Sequence, residues 1–142
     1  MDQRQFYLDT NVLIALIEPV RPMTQAQRSF VDGLDAGDLI AATSEMSLSE
    51  CLVKPFADAQ PQTVEAYLIA FAHQPWLRVL PVTRDVLIEA AHLRAESRMA
   101  LPDAIHVASA RLADCETFVS DDKRLKAPQL AKASWTNFPE TS

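Results

Sequence analysis

Glycine occurs only twice in this 142-residue chain, as Gly33 and Gly37. A P-loop or a dinucleotide fingerprint needs several glycines in one tight turn, so the usual nucleotide-cofactor chemistries are excluded. Cysteine is equally sparse. Cys51 and Cys115 are far apart and lack metal-type spacing, so both read as reduced, partly buried thiols. Long apolar runs are missing too. The longest, residues 12–17, is far short of the ~20 residues that cross a bilayer. The polar opening Met1-Asp2-Gln3-Arg4-Gln5 carries no signal-peptide pattern. A cytoplasmic protein with no membrane contact is the expectation. Excess positive charge is also absent: the net charge is −6, which argues against nucleic-acid binding by bulk electrostatics. It does not argue against a nucleic-acid enzyme whose acidic site is neutralised by cations. Repeats, low-complexity stretches and linkers are lacking, so residues 1–142 are read as a single domain with a short flexible tail over residues 139–142.

What is present alternates short strands with helices. Phe6-Tyr7-Leu8 reads as a strand, followed by a helix over residues 9–18 that Pro19 stops. A second helix over residues 24–36 ends at Gly37 as a C-cap. Residues 39–42 form a strand, and residues 44–53 form a helix carrying Glu50, with Pro55 just beyond it. Residues 63–73 are amphipathic, with Val64, Tyr67, Leu68, Phe71 and Ala72 at helical spacing. Residues 77–80 alternate like a strand. Thr83 caps a helix through about Arg98, and Pro102 opens the next one. Phe118-Val119 and Trp135-Thr136 read as two further short strands. This order implies a three-layer α/β/α fold with a small central parallel sheet flanked by helices. In such sheets ligands bind beyond the carboxyl ends of the strands.

Four acidic positions stand where a carboxylate is chemically useful. Asp9 leaves the first strand, Glu50 sits in Leu48-Ser49-Glu50, Asp103 follows Leu101-Pro102, and Asp122, beside Asp121, leaves the strand at Phe118-Val119. Each has a structural explanation taken singly. Asp9 suits a helix N-cap, Asp103 a helix first turn, Glu50 a solvated face, and Asp121-Asp122 a turn. Their conjunction is different, because strand exits and helix starts face one another in this fold. Converging carboxylates repel, and a divalent cation relieves the repulsion. Metal-dependent hydrolysis is therefore the leading chemistry. Basic residues adjoin the acids: Lys123, Arg124 and Lys126 after Asp122, and Arg94 and Arg98 before Asp103. Of these, Lys123, Arg124 and Arg98 are candidates for contacts with the phosphates of a nucleic acid. His106, three residues after Asp103 on the same helical face, is placed to approach a substrate, but a packed or solvated histidine is the favoured reading. Trp76 and Trp135 read as core or rim aromatics.

The segments Tyr7-Leu8-Asp9-Thr10-Asn11-Val12-Leu13-Ile14, Leu48-Ser49-Glu50, Leu101-Pro102-Asp103-Ala104-Ile105-His106 and Phe118-Val119-Ser120-Asp121-Asp122 resemble the four signature segments of PIN-domain nucleases. In particular they are similar to the compact VapC-type toxins of toxin–antitoxin pairs. The resemblance implies a ribonuclease that cleaves phosphodiester bonds with Mg²⁺ or Mn²⁺. It makes Asp9, Glu50, Asp103 and Asp122 catalytic, with Asp9, Asp103 and Asp122 holding the metal. Glu50 is preferred over nearby Glu45 for its Leu-Ser-Glu context. Thr10, Asn11, Ser120 and Asp121 would support those carboxylates by hydrogen bonds, with Asp121 a neighbour of, or substitute for, Asp122. The implied partners are an RNA substrate, a cognate small antitoxin and a second copy of the chain in a homodimer. A housekeeping RNA-processing nuclease of the same fold, and a non-catalytic PIN-like module binding RNA or protein, are the competing readings. A phosphoaspartate phosphohydrolase is weakened because Asn11 stands where a second Asp would be needed.

Overall fold

The computed structural model describes residues 4–139. A five-stranded sheet carries the molecule, in the order β3-β2-β1-β4-β5. Its strands are β1 (Arg4–Leu8), β2 (Leu39–Ser44), β3 (Leu77–Leu80), β4 (Thr117–Val119) and β5 (Ala131–Ala133). Every neighbouring pair is parallel. The helices are α1 (Thr10–Ile17), α2 (Gln25–Ala36), α3 (Glu45–Ala57), α4 (Pro61–His73), α5 (Arg84–Ser97) and α6 (Leu101–Leu112). The chain steps outward from β1 to β3, then returns to the other side of β1 for β4 and β5. That reversal opens a crevice at the carboxyl ends of β1 and β4, the usual ligand position in an open parallel sheet.

Side-chain alternation along β1 builds the two outer layers. Phe6 and Leu8 join Val12 and Leu13 of α1, Phe30 and Leu34 of α2, Tyr67 of α4, Trp135 and Phe138 in one core cluster. Tyr7 points the other way, into a second cluster with Val86, Ala90 and Leu93 of α5, Ile105 and Val107 of α6, and Phe118. The expected three-layer α/β/α arrangement is the one found.

Local rules set most boundaries. Thr24 and Gln27 form a reciprocal capping box at the start of α2, and Gly37 closes that helix at φ 82°. Only glycine adopts that left-handed geometry without steric cost. Three expectations need correction. Pro55 lies inside α3, which continues to Ala57. A helix proline forfeits one backbone hydrogen bond, but this one is buried and the helix ends within a turn of it. The inward stripe of α4 is also rotated from its expected position. Tyr67 and Ala70 are buried, whereas Leu68 is 47% exposed and Ala72 is exposed. Finally, Trp135-Thr136 is not a strand. The last strand is Ala131–Ala133, an Ala-Lys-Ala triplet with no β-propensity of its own, held by pairing with β4. Trp135 instead turns into the core, packing edge-on against Phe30. The proposed tail at residues 139–142 falls, apart from its first residue, outside the described residues.

Candidate active site

Asp9 is placed by two demands on one residue. Its backbone N–H continues the ladder, donating to the Val119 carbonyl at 3.0 Å, while its side chain caps α1. The carboxylate is buried, at 7% exposure, so both oxygens need partners. Oδ1 accepts from the Thr10 N–H at 2.9 Å and Oδ2 from the Ser120 hydroxyl at 2.7 Å. Ser120 is itself buried, and its Oγ accepts from the Asp122 N–H at 3.0 Å. One hydroxyl therefore joins the exits of β1 and β4.

Glu50 reaches the same crevice from α3. Its Oε1 accepts from the Thr10 hydroxyl at 2.7 Å and lies 2.6 Å from His106 Nε2. These bonds hold its carboxyl below the usual carboxylate range: the His106 bond contributes most, and burial opposes it. On the far side of the ring, His106 Nδ1 lies 2.7 Å from the Tyr7 hydroxyl. Burial, and then the charge of Asp9, push the Tyr7 phenol well up. A phenol that keeps its proton donates to Nδ1, which leaves the ring hydrogen on Nε2 to donate to Glu50. His106 also lies 3.9 Å from Asp9 Oδ1.

Asp103 sits in the first turn of α6, where the helix dipole favours an anion. Its carboxyl is nonetheless pushed up, first by burial and then by the charges of Asp122, Asp9 and Glu50. Asp122 Oδ1 accepts from the Arg124 N–H at 3.0 Å. The charges of Asp122, Asp9 and Glu50 all reach Asp103, so the four acids share one electrostatic field. Asp121 does not face them. Its carboxylate takes hydrogen bonds from the Ser134 hydroxyl, the Trp135 and Thr136 N–H groups and the Thr136 hydroxyl, at 2.7–3.0 Å. Burial would raise this carboxyl, but those donors outweigh it and hold the group low. The Asn11 side-chain oxygen accepts from the Asp121 N–H at 3.4 Å. Glu45 is exposed at the start of α3. Lys123 and Arg124 are exposed beside Asp122. Arg98 caps α5 with a left-handed backbone at φ 57° and has no ion pair with the four acids among the described residues.

Two participants escaped sequence reasoning. His106 is a buried bridge between Tyr7 and Glu50; its spacing of three from Asp103 was the only available signal. Lys132, whose Nζ grips the carbonyls of Asp122 and Leu125 at 2.6 and 2.8 Å, carried none.

Among the described residues, no three His, Cys, Asp or Glu side chains close into a ready-made metal cage. Magnesium does not require one, since it keeps several waters and uses one or two carboxylates. The all-oxygen donor set, and a carboxyl in Asp103 raised first by burial and then by its neighbours' charges, fit a hard divalent cation.

The model of the PIN domain family matches residues 6–129, a span that includes all four acids. This chain is a PIN domain. Several solved structures share its fold. VapBC2 from Rickettsia felis, bound to a DNA fragment from its promoter, superposes with TM-score 0.71 at 18% identity over 92% of this chain and 98% of that one. A toxin–antitoxin complex from Klebsiella pneumoniae gives 0.63 at 24% identity, over 89% and 94%. The sarcin-ricin loop cleaving toxin VapC20 of Mycobacterium tuberculosis gives 0.65 at 20% identity, over 89% and 96%. Comparison with curated protein sequences yields no significant match. Among the described residues of this PIN domain, no helix is long and apolar enough to cross a membrane.

Proposed function

We propose that this PIN domain is a metal-dependent endoribonuclease, acting in the cytoplasm as the toxin of a VapBC-type toxin–antitoxin pair. The reading is supported by the charges of Asp122, Asp9 and Glu50 acting on Asp103 and by the Ser120 hydroxyl that ties Asp9 to Asp122. Carboxylates that feel one another's charge repel, and a bound divalent cation relieves that repulsion. Asp9, Asp103 and Asp122 would hold Mg²⁺ or Mn²⁺. When bound, such a cation neutralises phosphoryl charge and acidifies a water molecule. Glu50 would complete the shell or orient the attacking water. Both hydrogen bonds to its carboxylate use Oε1, which leaves Oε2 for that task. Thr10 and Ser120 keep the carboxylates aimed, and Lys123, Arg124 and Arg98 supply phosphate contacts on the rim. The fold shared with toxin–antitoxin structures favours a small antitoxin as partner. An antitoxin side chain such as arginine would satisfy the acidic crevice as a cation does. A homodimer completes the proposal.

Expression of the wild-type chain and of Asp9→Asn in the same host tests both parts. The wild type is expected to arrest growth and to cleave RNA in vitro with Mg²⁺ but not with EDTA. The variant should do neither, and the product of an adjoining small gene should relieve the arrest. Cleavage without growth arrest would favour a housekeeping nuclease, and no cleavage with either cation would favour a binding module.

A further inference from the structure

We infer that residues 131–138 form a brace for the acidic crevice, with Asp121 and Lys132 as positioning residues that fix where Asp122 points. The inference rests on the proposed role of Asp122. The family match ends at residue 129, so the brace lies beyond the matched span. It is anchored independently of the site: Trp135 and Phe138 are buried against Phe30, and the buried Gln27 amide donates to the Trp135 carbonyl at 2.6 Å. From that anchor two grips reach the loop after β4. Lys132 Nζ donates to the carbonyls of Asp122 and Leu125. Ser134, Trp135 and Thr136 together give four hydrogen bonds to the Asp121 carboxylate.

The adjoining acids therefore face opposite ways. Asp121 is consumed by the brace, and its neighbour is presented to the crevice. Among the described residues the Asp122 carboxylate accepts one hydrogen bond, from the Arg124 N–H, so its direction depends on the backbone on either side of it. Those are the atoms the brace holds. A segment that merely sealed the core would need Trp135 and Phe138, but not an ammonium on the Asp122 carbonyl.

The test uses the full chain and the variants Lys132→Met, Asp121→Asn and Thr136→Val, the last removing a single hydroxyl bond to Asp121. Amide exchange of Arg124 and Leu125 in metal-free buffer reads the loop directly, and Mn²⁺ titration calorimetry reads the site. Exchange at those two amides should accelerate in Lys132→Met and Asp121→Asn while Tyr7 and Phe118 stay protected. Affinity for Mn²⁺ should fall about tenfold or more, as on losing an outer partner of a metal ligand. Thr136→Val should lie between these and wild type, and it carries the comparison if Asp121→Asn fails to fold. Unchanged exchange and Mn²⁺ affinity in a folded Lys132→Met would overturn the brace. So would loss of Mn²⁺ binding in Asp121→Asn with Arg124 exchange unaltered, since Asp121 would then be a ligand itself. A wild type that binds no Mn²⁺ and cleaves no RNA would defeat the nuclease reading, and exchange alone would then decide the brace.

Discussion

His106 Nε2 lies 2.6 Å from Glu50 Oε1, and this buried imidazole joins Tyr7 of the central strand to the acid on α3. A helix-borne carboxylate that is itself partly exposed is thereby referenced to the most rigid part of the sheet, through Tyr7. Tyr7 is fully buried and stacked on Phe118 at 5.1 Å.

Removing that bridge should have two effects. His106→Ala deletes a buried ring and one hydrogen-bond partner of the Tyr7 hydroxyl, so stability should fall by roughly 3 kcal/mol in urea denaturation. His106→Gln keeps a donor for Glu50 and should lose less. RNA cleavage should follow the same order, in kcat rather than KM, because Glu50 remains present but is no longer held. Equal kcat in wild type and a folded His106→Ala would refute the positioning role.

Charge repulsion makes an opposite prediction for the acids. Asp103 carries the burden of Asp122, Asp9 and Glu50, so Asp103→Asn should be neutral or stabilising in EDTA and inactive in Mg²⁺. Asp9→Asn should also fold, because asparagine caps a helix about as well as aspartate, whereas alanine there costs about 1 kcal/mol. Wild type alone should melt higher on adding Mg²⁺ or Mn²⁺. Paired melting curves with and without the cations check this, and a wild type indifferent to both at millimolar concentration would count against the metal site.

The layers and the helix starts at Asp9 and Asp103 were legible because each rests on short-range rules. Asp9 and Asp103 stand at helix starts, Gly37 ends a helix at positive φ, and the alternation of Phe6, Tyr7 and Leu8 divides the two cores. What stayed hidden depends on distant partners. The Ala131–Ala133 strand has no pattern of its own and exists through its register with β4. The buried Pro55 reads as a helix stop until its packing is known. The separate duties of Asp121 and Asp122, adjacent and chemically identical, are set by Ser134, Thr136 and Lys132, which lie about a dozen residues away and gave no signal in the sequence.

The two thiols should be inert in the native state. Burial, then the charges of Glu50 and Glu18, push the Cys51 thiol up to about 12, and burial pushes Cys115 up to about 11. The thiolate is the reactive form and a raised pKa depletes it, so at pH 8 roughly one Cys51 in ten thousand and one Cys115 in a thousand would be ionised. A disulfide-exchange reagent at pH 8 should leave both unmodified in the folded protein and label both in denaturant. Rapid labelling of native protein, with no matching rise in unfolding rate, would contradict this.

The rim offers the sharpest separation of binding from chemistry. Lys123 and Arg124 are exposed on the turn after Asp122, and the bond from Arg124 to Asp122 comes from its backbone N–H. Replacing both side chains by alanine should therefore leave the carboxylate in place. If these cations meet RNA phosphates, KM should rise with kcat nearly constant. The dependence of log affinity on log salt should flatten by about 0.7 for each single-strand phosphate that is no longer neutralised. Arg98 can be tested without disturbing α5, because its left-handed φ of 57° suits glycine. Arg98→Gly removes the charge while easing the backbone, so a raised KM there reports a phosphate contact rather than a damaged helix. If salt slope and KM match wild type in all these variants, the RNA path lies elsewhere on the surface, and the basic residues beside Asp122 are ordinary solvated charges.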